Sequence, residues 1–206
     1  MIAKLRDEVY PVRETWSATD HFQLDRALSP LFGVRAFGVH LNGYVERTNG
    51  LHIWVGRRSA DRRIEPNKLD NMVAGGQPAN LGLMEKLIKE CAEEANLPRP
   101  LAQSSQPVGT VQYCFETETG LKPDTLFCYD LAVPKEFEPH NQDGEIADFQ
   151  LMPIQEALEL IRPGDAFKFN VSLVILDFAI RHGILSPDSE PDYEAISGGL
   201  QRGSPT

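Results

Sequence analysis

The chain has 206 residues, of which 41% are hydrophobic and 24% are charged, with a formal net charge of −10 at pH 7. This length and composition are typical of one α/β domain with extensions, and they allow a continuous hydrophobic core. The negative charge argues against nucleic acid or an anionic membrane as a partner, because basic surfaces bind both.

Strand-like and helix-like segments alternate along the chain. Residues 33–46 and 51–59 predict two strands joined by the hairpin turn RTNG. Residues 70–77 predict a third strand, which runs into a glycine pair. Residues 83–97 then carry apolar side chains at helical spacing, and Asn96 suits a left-handed exit from that helix.

The second half of the chain predicts a loop at 98–107 and then an antiparallel pair of strands, 108–118 and 124–134, around the turn GLKP. The remaining elements are a strand at 144–153, helices at 154–162 and 169–183, a short candidate helix at 192–200 and a disordered end at 201–206. Together these elements predict an α/β fold with a mixed β-sheet between helices. We divide the chain into an N-terminal extension, a main domain and a C-terminal tail, at 1–30, 31–185 and 186–206.

The cysteines and the N-terminus indicate a reducing compartment. Cys91, Cys114 and Cys128 cannot all pair and show no metal-ligand spacing, which fits reduced thiols. The stretch MIAKLRDEVYPVRE lacks the apolar centre of a secretory signal, and no apolar run is long enough to cross a bilayer. We therefore expect a cytoplasmic protein.

The segment KECAEEANL concentrates negative charge on one helix. Glu90, Glu93 and Glu94 are spaced by three and four residues, so they emerge on one side of the helix, off the apolar stripe. A solvated acidic face is one interpretation. The other is a site for Mg²⁺ or Mn²⁺, which prefer hard oxygen ligands and bridge to phosphates. Gly75 and Gly76, just upstream, allow the close turn that such a site needs.

The stretch GGQPANLGLMEKLIKECAEEANL resembles the Nudix box, whose pattern is G-x5-E-x7-R-E-U-x-E-E-x-G-U, with U an aliphatic residue. Leu81 and Lys89 replace the first glutamate and the arginine of the pattern, which form an ion pair in the family. We expect Glu85, four residues before Lys89, to supply a replacement pair. Strict counting selects Gly75 as the first glycine, whereas the glycine pair of many members selects Gly76, and both are candidates for substrate binding.

The resemblance implies roles for the acidic residues. It implies that Glu90, Glu93 and Glu94 hold Mg²⁺ or Mn²⁺, with the backbone carbonyl of Ala74 as a further ligand. The implied catalytic residues are Glu90, Glu93 and Glu145. The general base is either Glu90 or Glu145, because many members place an additional carboxylate on a mobile loop such as the one that opens the strand GEIADFQL.

Further segments, among them LFGVRAFGVHLNGYV, GLKPDTLFCYDLAVP and DGEIADFQLMP, resemble the branch related to the Nudix domain fused to thiamin pyrophosphokinase. The resemblance implies a Nudix-like α/β/α sandwich for 31–185 and a homodimer. It also implies hydrolysis of a diphosphate, with oxidised thiamin diphosphates as substrates and the monophosphate and phosphate as products. Members often carry a further N-terminal region, which implies a short or trimmed form here. The alternatives are a pyrophosphatase for ADP-ribose, NADH or a similar nucleotide, and a catalytically silent ligand-binding module.

The segment RRSADRRIEPNK concentrates positive charge in this acidic chain. Guanidinium groups suit phosphate oxygens, so we expect Arg57, Arg58 and Lys68 to bind the diphosphate, with a solvated hairpin end as the alternative. Aromatic residues at strand spacing mostly form core, but four are candidates to stack on a substrate ring: Trp54, Tyr113, Tyr129 and Phe167.

Overall fold

The structure is a computed structural model that describes Leu5 and residues 8–201. Within these residues the strands are β1 Val9–Val12, β2 Phe22–Asp25, β3 Ala36–Arg47, β4 Gly50–Arg58, β5 Leu69–Asn71, β6 Val73–Gly76, β7 Gln106–Thr117, β8 Gly120–Ala132 and β9 Ile146–Pro153. The helices are α1 Ser29–Phe32, α2 Leu83–Ala95, α3 Arg99–Ala102, α4 Ile154–Ile161, α5 Phe169–Arg181 and α6 Tyr193–Gln201.

A seven-stranded sheet is built around the parallel pair β3 and β8. β7 runs antiparallel to β8 on one side. On the other side, β3 forms a hairpin with β4, and the two strands then diverge. β6 pairs with β3 and β5 pairs with β4 in the space between them, while β9 runs along the opposite edge of β4. The prediction of a mixed sheet is therefore confirmed.

Helices cover both faces of this sheet, because successive strand residues point to opposite faces and both sets are apolar. On one face, Val39 and Leu41 pack against Leu87 and Cys91 of α2. On the other face, apolar strand residues pack against α4, α5 and α6. The predicted α/β/α sandwich is confirmed. No helix in the described residues combines the length and the apolar character needed to cross a membrane.

Two sequence predictions in the middle of the chain are wrong. The segment 98–107 contains α3 and the start of β7 rather than a loop. The turn lies at 118–119, before GLKP, and Thr117 Oγ1 stabilises it by donating to the carbonyl of Gly120 at 2.8 Å. β8 pairs with β3 only from Asp124 onward, so Pro123 fits into the strand without its missing N–H being needed there.

Both ends of the chain carry short elements. β1 and β2, in the predicted N-terminal extension, form a hairpin, and the N–H of Ala79 donates to the carbonyl of Val9 at 2.9 Å. This bond ties the hairpin to the segment between β6 and α2. The candidate helix near the C-terminus is present as α6, and Gln201 ends it. The rest of the predicted disordered end, 202–206, lies outside the described residues.

The exit from α2 yields a stability prediction. Asn96 has φ 50°, in the left-handed region, and Leu97 N–H donates to the carbonyl of Cys91 at 2.9 Å. We expect Asn96→Ala to lower the free energy of unfolding by about 1 kcal/mol, because a Cβ without a local hydrogen-bonding group disfavours this backbone region. Asn96→Gly should be neutral or stabilising. Urea unfolding measures both, and equal stability of the two variants would contradict the argument.

Candidate functional site

The site is built where the glycine pair of β6 meets the glutamates of α2. Glu90 and Glu94 are 8% and 4% exposed, so they are buried between helix and strand rather than lying off the apolar stripe as predicted. A Cβ on Gly75 would lie 2.6 Å from both Cγ and Cδ of Glu90. Such a contact is impossible, so a glycine is required for the Glu90 carboxylate to rest on the strand.

Burial controls the charge of these carboxylates. It raises the pKa of Glu94 well above its usual range, and the neighbouring charge of Glu90 adds to the rise. The backbone N–H of Ala74 opposes it by donating to Glu94 Oε2 at 2.8 Å. Burial also raises the pKa of Glu90, although Lys86 opposes that shift. The site therefore favours any cation that can neutralise the two buried groups.

Lysine side chains form ion pairs with two of the carboxylates. The ammonium of Lys86, itself buried, donates to Glu90, and that of Lys89 donates to Glu93. The predicted pair between Glu85 and Lys89 is therefore wrong. Glu85 instead accepts the N–H of Gly82 at 3.2 Å, at the start of α2.

The segment between β6 and α2 is held by a glutamine where the Nudix pattern would have an ion pair. Gln77 is fully buried, and its Nε2 donates to the carbonyl of Leu81 at 2.6 Å. Its backbone N–H donates to the carbonyl of Phe37 at 2.8 Å. These bonds fix the glycine pair relative to the start of α2 without a charge at position 81.

The donor chemistry fits a hard divalent cation, since three carboxylates lie within one and a half turns of α2. Among the described residues, however, no three His, Cys, Asp or Glu side chains are gathered closely enough to hold a metal ion. To bind one, Glu90 and Glu93 must exchange their ammonium partners for the ion. Glu93 is partly exposed, so its side chain can make this exchange by rotation.

Glu145 precedes β9 in a loop at the same site. Its carboxylate pairs with Arg62 at 2.6 Å, and its carbonyl accepts the N–H of Ser59 at 3.0 Å. Its charge contributes to the raised pKa of Glu94, so the two carboxylates share one electrostatic environment. Because about 38% of the Glu145 side chain is exposed, water reaches it.

The basic residues of the 57–68 segment have different surroundings. The Arg57 side chain is half-exposed and pairs with Asp148 at 3.0 Å. Arg58 is buried, pairs with Asp70 at 2.7 Å and donates to two loop carbonyls. These contacts show that Arg58 holds the loop in place. The sequence predicted only a substrate-binding role for this residue. Lys68 is half-buried, and its carbonyl accepts the N–H of Arg58 at 2.9 Å.

The aromatic candidates belong to the core, as strand spacing favours. All four are buried within the hydrophobic clusters on the two faces of the sheet: Trp54, Tyr113, Tyr129 and Phe167.

The N-terminal hairpin brings residues that the sequence analysis missed. A Cβ on Gly76 would lie 1.7 Å from the hydroxyl of Tyr10, so this tyrosine packs on the second glycine of the pair. The Arg26 guanidinium lies 5.5 Å from the Tyr10 ring centroid and pairs with Glu8. Although burial opposes its charge, the pKa of Arg26 is raised by Tyr10, Glu8 and, more weakly, Glu145. Arg26 therefore lies beside the tyrosine that packs on Gly76, and its charge interacts with that of Glu145.

The surrounding architecture is that of the Nudix fold. The structure superposes on a crystal structure of a Deinococcus radiodurans protein, DR0079, with a TM-score of 0.61 and 22% identity, covering 82% of this chain and 97% of that one. It also superposes on the NUDIX domain of Shewanella oneidensis NrtR, complexed with ADP ribose, with a TM-score of 0.56 and 14% identity, covering 74% and 90%.

Sequence comparison finds relatives that are named Nudix hydrolases. The chain is 43% identical to Nudix hydrolase 20, chloroplastic, of Arabidopsis thaliana over 92% of its own length and 50% of that protein. It is 41% identical to Nudix hydrolase 24, chloroplastic, of the same plant, over 98% of its own length and 55% of that protein. A family model described as a domain of unknown function (DUF4743) matches residues 1–36. The chain spans about half the length of these curated relatives. The chain therefore has the Nudix fold and is similar in sequence to two plant Nudix hydrolases.

The buried Glu94 generates a pH prediction for the metal-free protein. Above its ordinary pKa of 4.5 the unfolded chain has lost a proton that the folded chain keeps, so stability falls as pH rises toward the folded pKa. Glu94→Gln removes this loss and keeps an acceptor for the N–H of Ala74. We expect its melting temperature in EDTA to exceed that of the wild type by about 2–4 °C at pH 8 for each kcal/mol gained, and by less at pH 5.

Thermal unfolding between pH 5 and pH 8 measures the difference. Glu159→Gln, an exposed substitution on α4 on the opposite face of the sheet, is the matched control and should leave the melting temperature unchanged. A Glu94→Gln variant that is less stable than the wild type at pH 8 in EDTA would contradict the prediction.

Proposed function

We propose that this chain is a Mg²⁺-dependent Nudix hydrolase that cleaves a diphosphate linkage. The observation that carries the proposal is the Glu90 carboxylate resting on Gly75, with Glu93 and Glu94 on the same helix. The similarity to plant Nudix hydrolases supports it. Because the chain spans only about half of those relatives, the activity of the whole protein is part of the proposal.

Glu90, Glu93 and Glu94, with the carbonyl of Ala74, are the proposed ligands of Mg²⁺ or Mn²⁺. The ion supplies the positive charge that an acidic protein needs in order to bind a diphosphate. Each of the two candidates has a cationic partner, so exposure decides between them: Glu145 is our choice of general base, because water reaches it, whereas Glu90 is buried.

Positive side chains around the site bind and orient the diphosphate in this proposal. Arg57 and Lys68 are retained from the sequence analysis, since both have exposed surface. Arg26 joins them, because it lies beside Tyr10, which packs on Gly76, and keeps part of its side chain accessible. Gly75 and Gly76 remain proposed substrate-binding residues, because both keep part of their backbone exposed although Glu90 and Tyr10 pack on them. A water molecule attacks one phosphorus, Glu145 accepts its proton, and the second phosphate leaves without a covalent enzyme intermediate.

Oxidised thiamin diphosphates are the substrates we favour, and their hydrolysis would yield the monophosphate and phosphate. A nucleotide substrate is the second candidate, because the NUDIX domain with a similar fold was crystallised with ADP ribose. A silent ligand-binding module is the third, since the pairs of Lys86 with Glu90 and Lys89 with Glu93 occupy carboxylates that a metal needs. A homodimer, a cytoplasmic location and the lack of nucleic-acid and membrane partners stay predictions.

The first experiment compares Mg²⁺-dependent turnover of oxothiamin diphosphate, thiamin diphosphate, ADP-ribose and NADH by the wild type and Glu93→Gln. Anion-exchange chromatography should separate the products, because a nucleotide cleaved between its phosphates releases no inorganic phosphate. Glu93 is partly exposed and paired only at the surface, so its substitution should not disturb folding. We expect kcat to fall about 10²-fold, the size of effect seen when one electrostatic group of a site is removed.

Glu159→Gln is again the matched control and should retain full activity. Preference for a thiamin compound supports the favoured substrate, whereas preference for a nucleotide supports the second candidate. If neither wild type nor variant yields product from any compound, yet the wild type binds one of them, the protein is a binding module and the proposed activity is wrong.

A further inference from the structure

A cavity of about 470 Å³ opens at the start of β3, just before the residues of β3 that pair with the glycine pair of β6. Its walls combine aromatic and polar side chains: Trp16, Arg35, Phe37, Gln112, Thr125 and Phe127. The sequence analysis assigned none of them a role. Trp16 comes from the N-terminal extension, and the others come from β3, β7, β8 and the residue before β3.

Strand register places the floor of this cavity on the same face of the sheet as α2. Phe37 is two residues before Val39, which packs against α2, and side chains two residues apart point to the same face. Phe127 is paired with Val39, and Thr125 is paired with Phe37. Gln112 is paired with Thr125. The cavity and the glutamates therefore open on one face of the sheet.

The cavity is close to the proposed metal ligands. The carbonyl of Phe37 accepts the N–H of Gln77, which is two residues beyond Gly75 in the chain. Two residues of extended chain span about 7 Å. Since Gly75 touches Glu90, one ligand can place a ring in the cavity and a diphosphate at the glutamates.

An aromatic wall forms one side of the cavity. The Trp16 ring meets Phe37 and Phe127 edge to face, with centroids 5.5 Å and 5.4 Å apart. The guanidinium of Arg13 lies 4.1 Å from the centroid of Trp16 and holds the ring in place. Trp16 remains partly exposed.

The opposite side is polar. Arg35 donates to Thr125 Oγ1 at 3.0 Å and more weakly to Gln112 Oε1 at 3.4 Å. Both of these partners are uncharged, and a guanidinium carries five N–H donors, so donors remain for a ligand. Where α2 covers this face of the sheet, β8 contributes Tyr129 and Leu131. The polar side chains of the cavity therefore begin where the helix no longer covers the sheet.

We propose that this cavity binds the heteroaromatic ring of the diphosphate substrate, with Trp16 and Arg35 as specificity-determining residues. The proposal rests on the hydrolase function proposed above. The ring lies against the aromatic wall, and an oxygen or nitrogen acceptor on its edge receives a hydrogen bond from Arg35. The substrate class is thus a diphosphate ester of a heteroaromatic compound, such as a pyrimidine-bearing vitamin derivative or a nucleoside.

Steady-state kinetics with the preferred substrate of the panel tests this assignment. Trp16→Ala and Arg35→Met should each raise KM about tenfold, the loss typical when one stacking partner of a base is truncated, while kcat stays within about twofold. Trp16→Phe should restore most of the affinity. Arg47→Met, an exposed substitution at the far end of β3, is the control for Arg35 and should leave KM unchanged.

A binding measurement separates this inference from the proposed activity. The chain has two tryptophans, Trp16 and Trp54, so Trp16→Phe leaves only the buried one. Oxothiamin diphosphate and ADP-ribose are titrated in turn into Glu93→Gln protein, which turns substrate over too slowly to interfere. We expect one of them to change tryptophan emission saturably, the change to vanish with Trp16→Phe, and the dissociation constant to rise about tenfold with Arg35→Met.

The outcomes are distinct. Saturable quenching of Trp16 without turnover by the wild type would keep the ring subsite and reject the hydrolase. Turnover with unchanged KM in both Trp16→Ala and Arg35→Met, or an emission change that survives Trp16→Phe, would reject the subsite and keep the hydrolase. Thermal unfolding checks that each variant is folded, and Arg35→Met decides the matter if Trp16→Ala is not.

Discussion

The contact between the Glu90 side chain and the backbone of Gly75 is the constraint on which the site depends. It requires a residue without a Cβ on β6 and a helix axis close enough to press carboxylates against a strand. The same closeness removes water from Glu90 and Glu94 and makes their charge costly. The segment that joins β6 to α2 must therefore be rigid, and buried Gln77 supplies that rigidity by bonding to Leu81 and Phe37.

The local sequence pattern was sufficient to predict the elements in which apolar residues recur at regular spacing. The α2 helix, its left-handed exit at Asn96 and the mixed sheet follow from apolar spacing and turn residues. The predicted turn at GLKP was wrong because a proline usually marks a turn. In the structure, Pro123 lies within β8 at a position where β3 does not pair with it. Whether a strand position has a neighbour is a tertiary property, and the sequence pattern does not contain it.

The candidate site was predictable in its residue types but not in its pairings. Lys89 is four residues from both Glu85 and Glu93, so spacing alone treats the two as equal partners. Glu93 is the partner in the structure, because Glu85 is engaged at the start of α2. Burial of Glu90 depends on how closely β6 approaches, and the position of Trp16 depends on where a distant hairpin docks. Both are set by contacts between segments far apart in the chain.

The buried ammonium of Lys86 bears on whether this chain needs a metal ion in order to fold. In small zinc domains the ion holds the chain together, so a chain deprived of metal stays unfolded. Here a lysine one turn away from Glu90 supplies a positive charge from within the same helix. The charge of Glu90 is therefore balanced within the helix in the absence of an ion. In the proposed function, the metal ion would therefore be needed for activity rather than to hold the helix together.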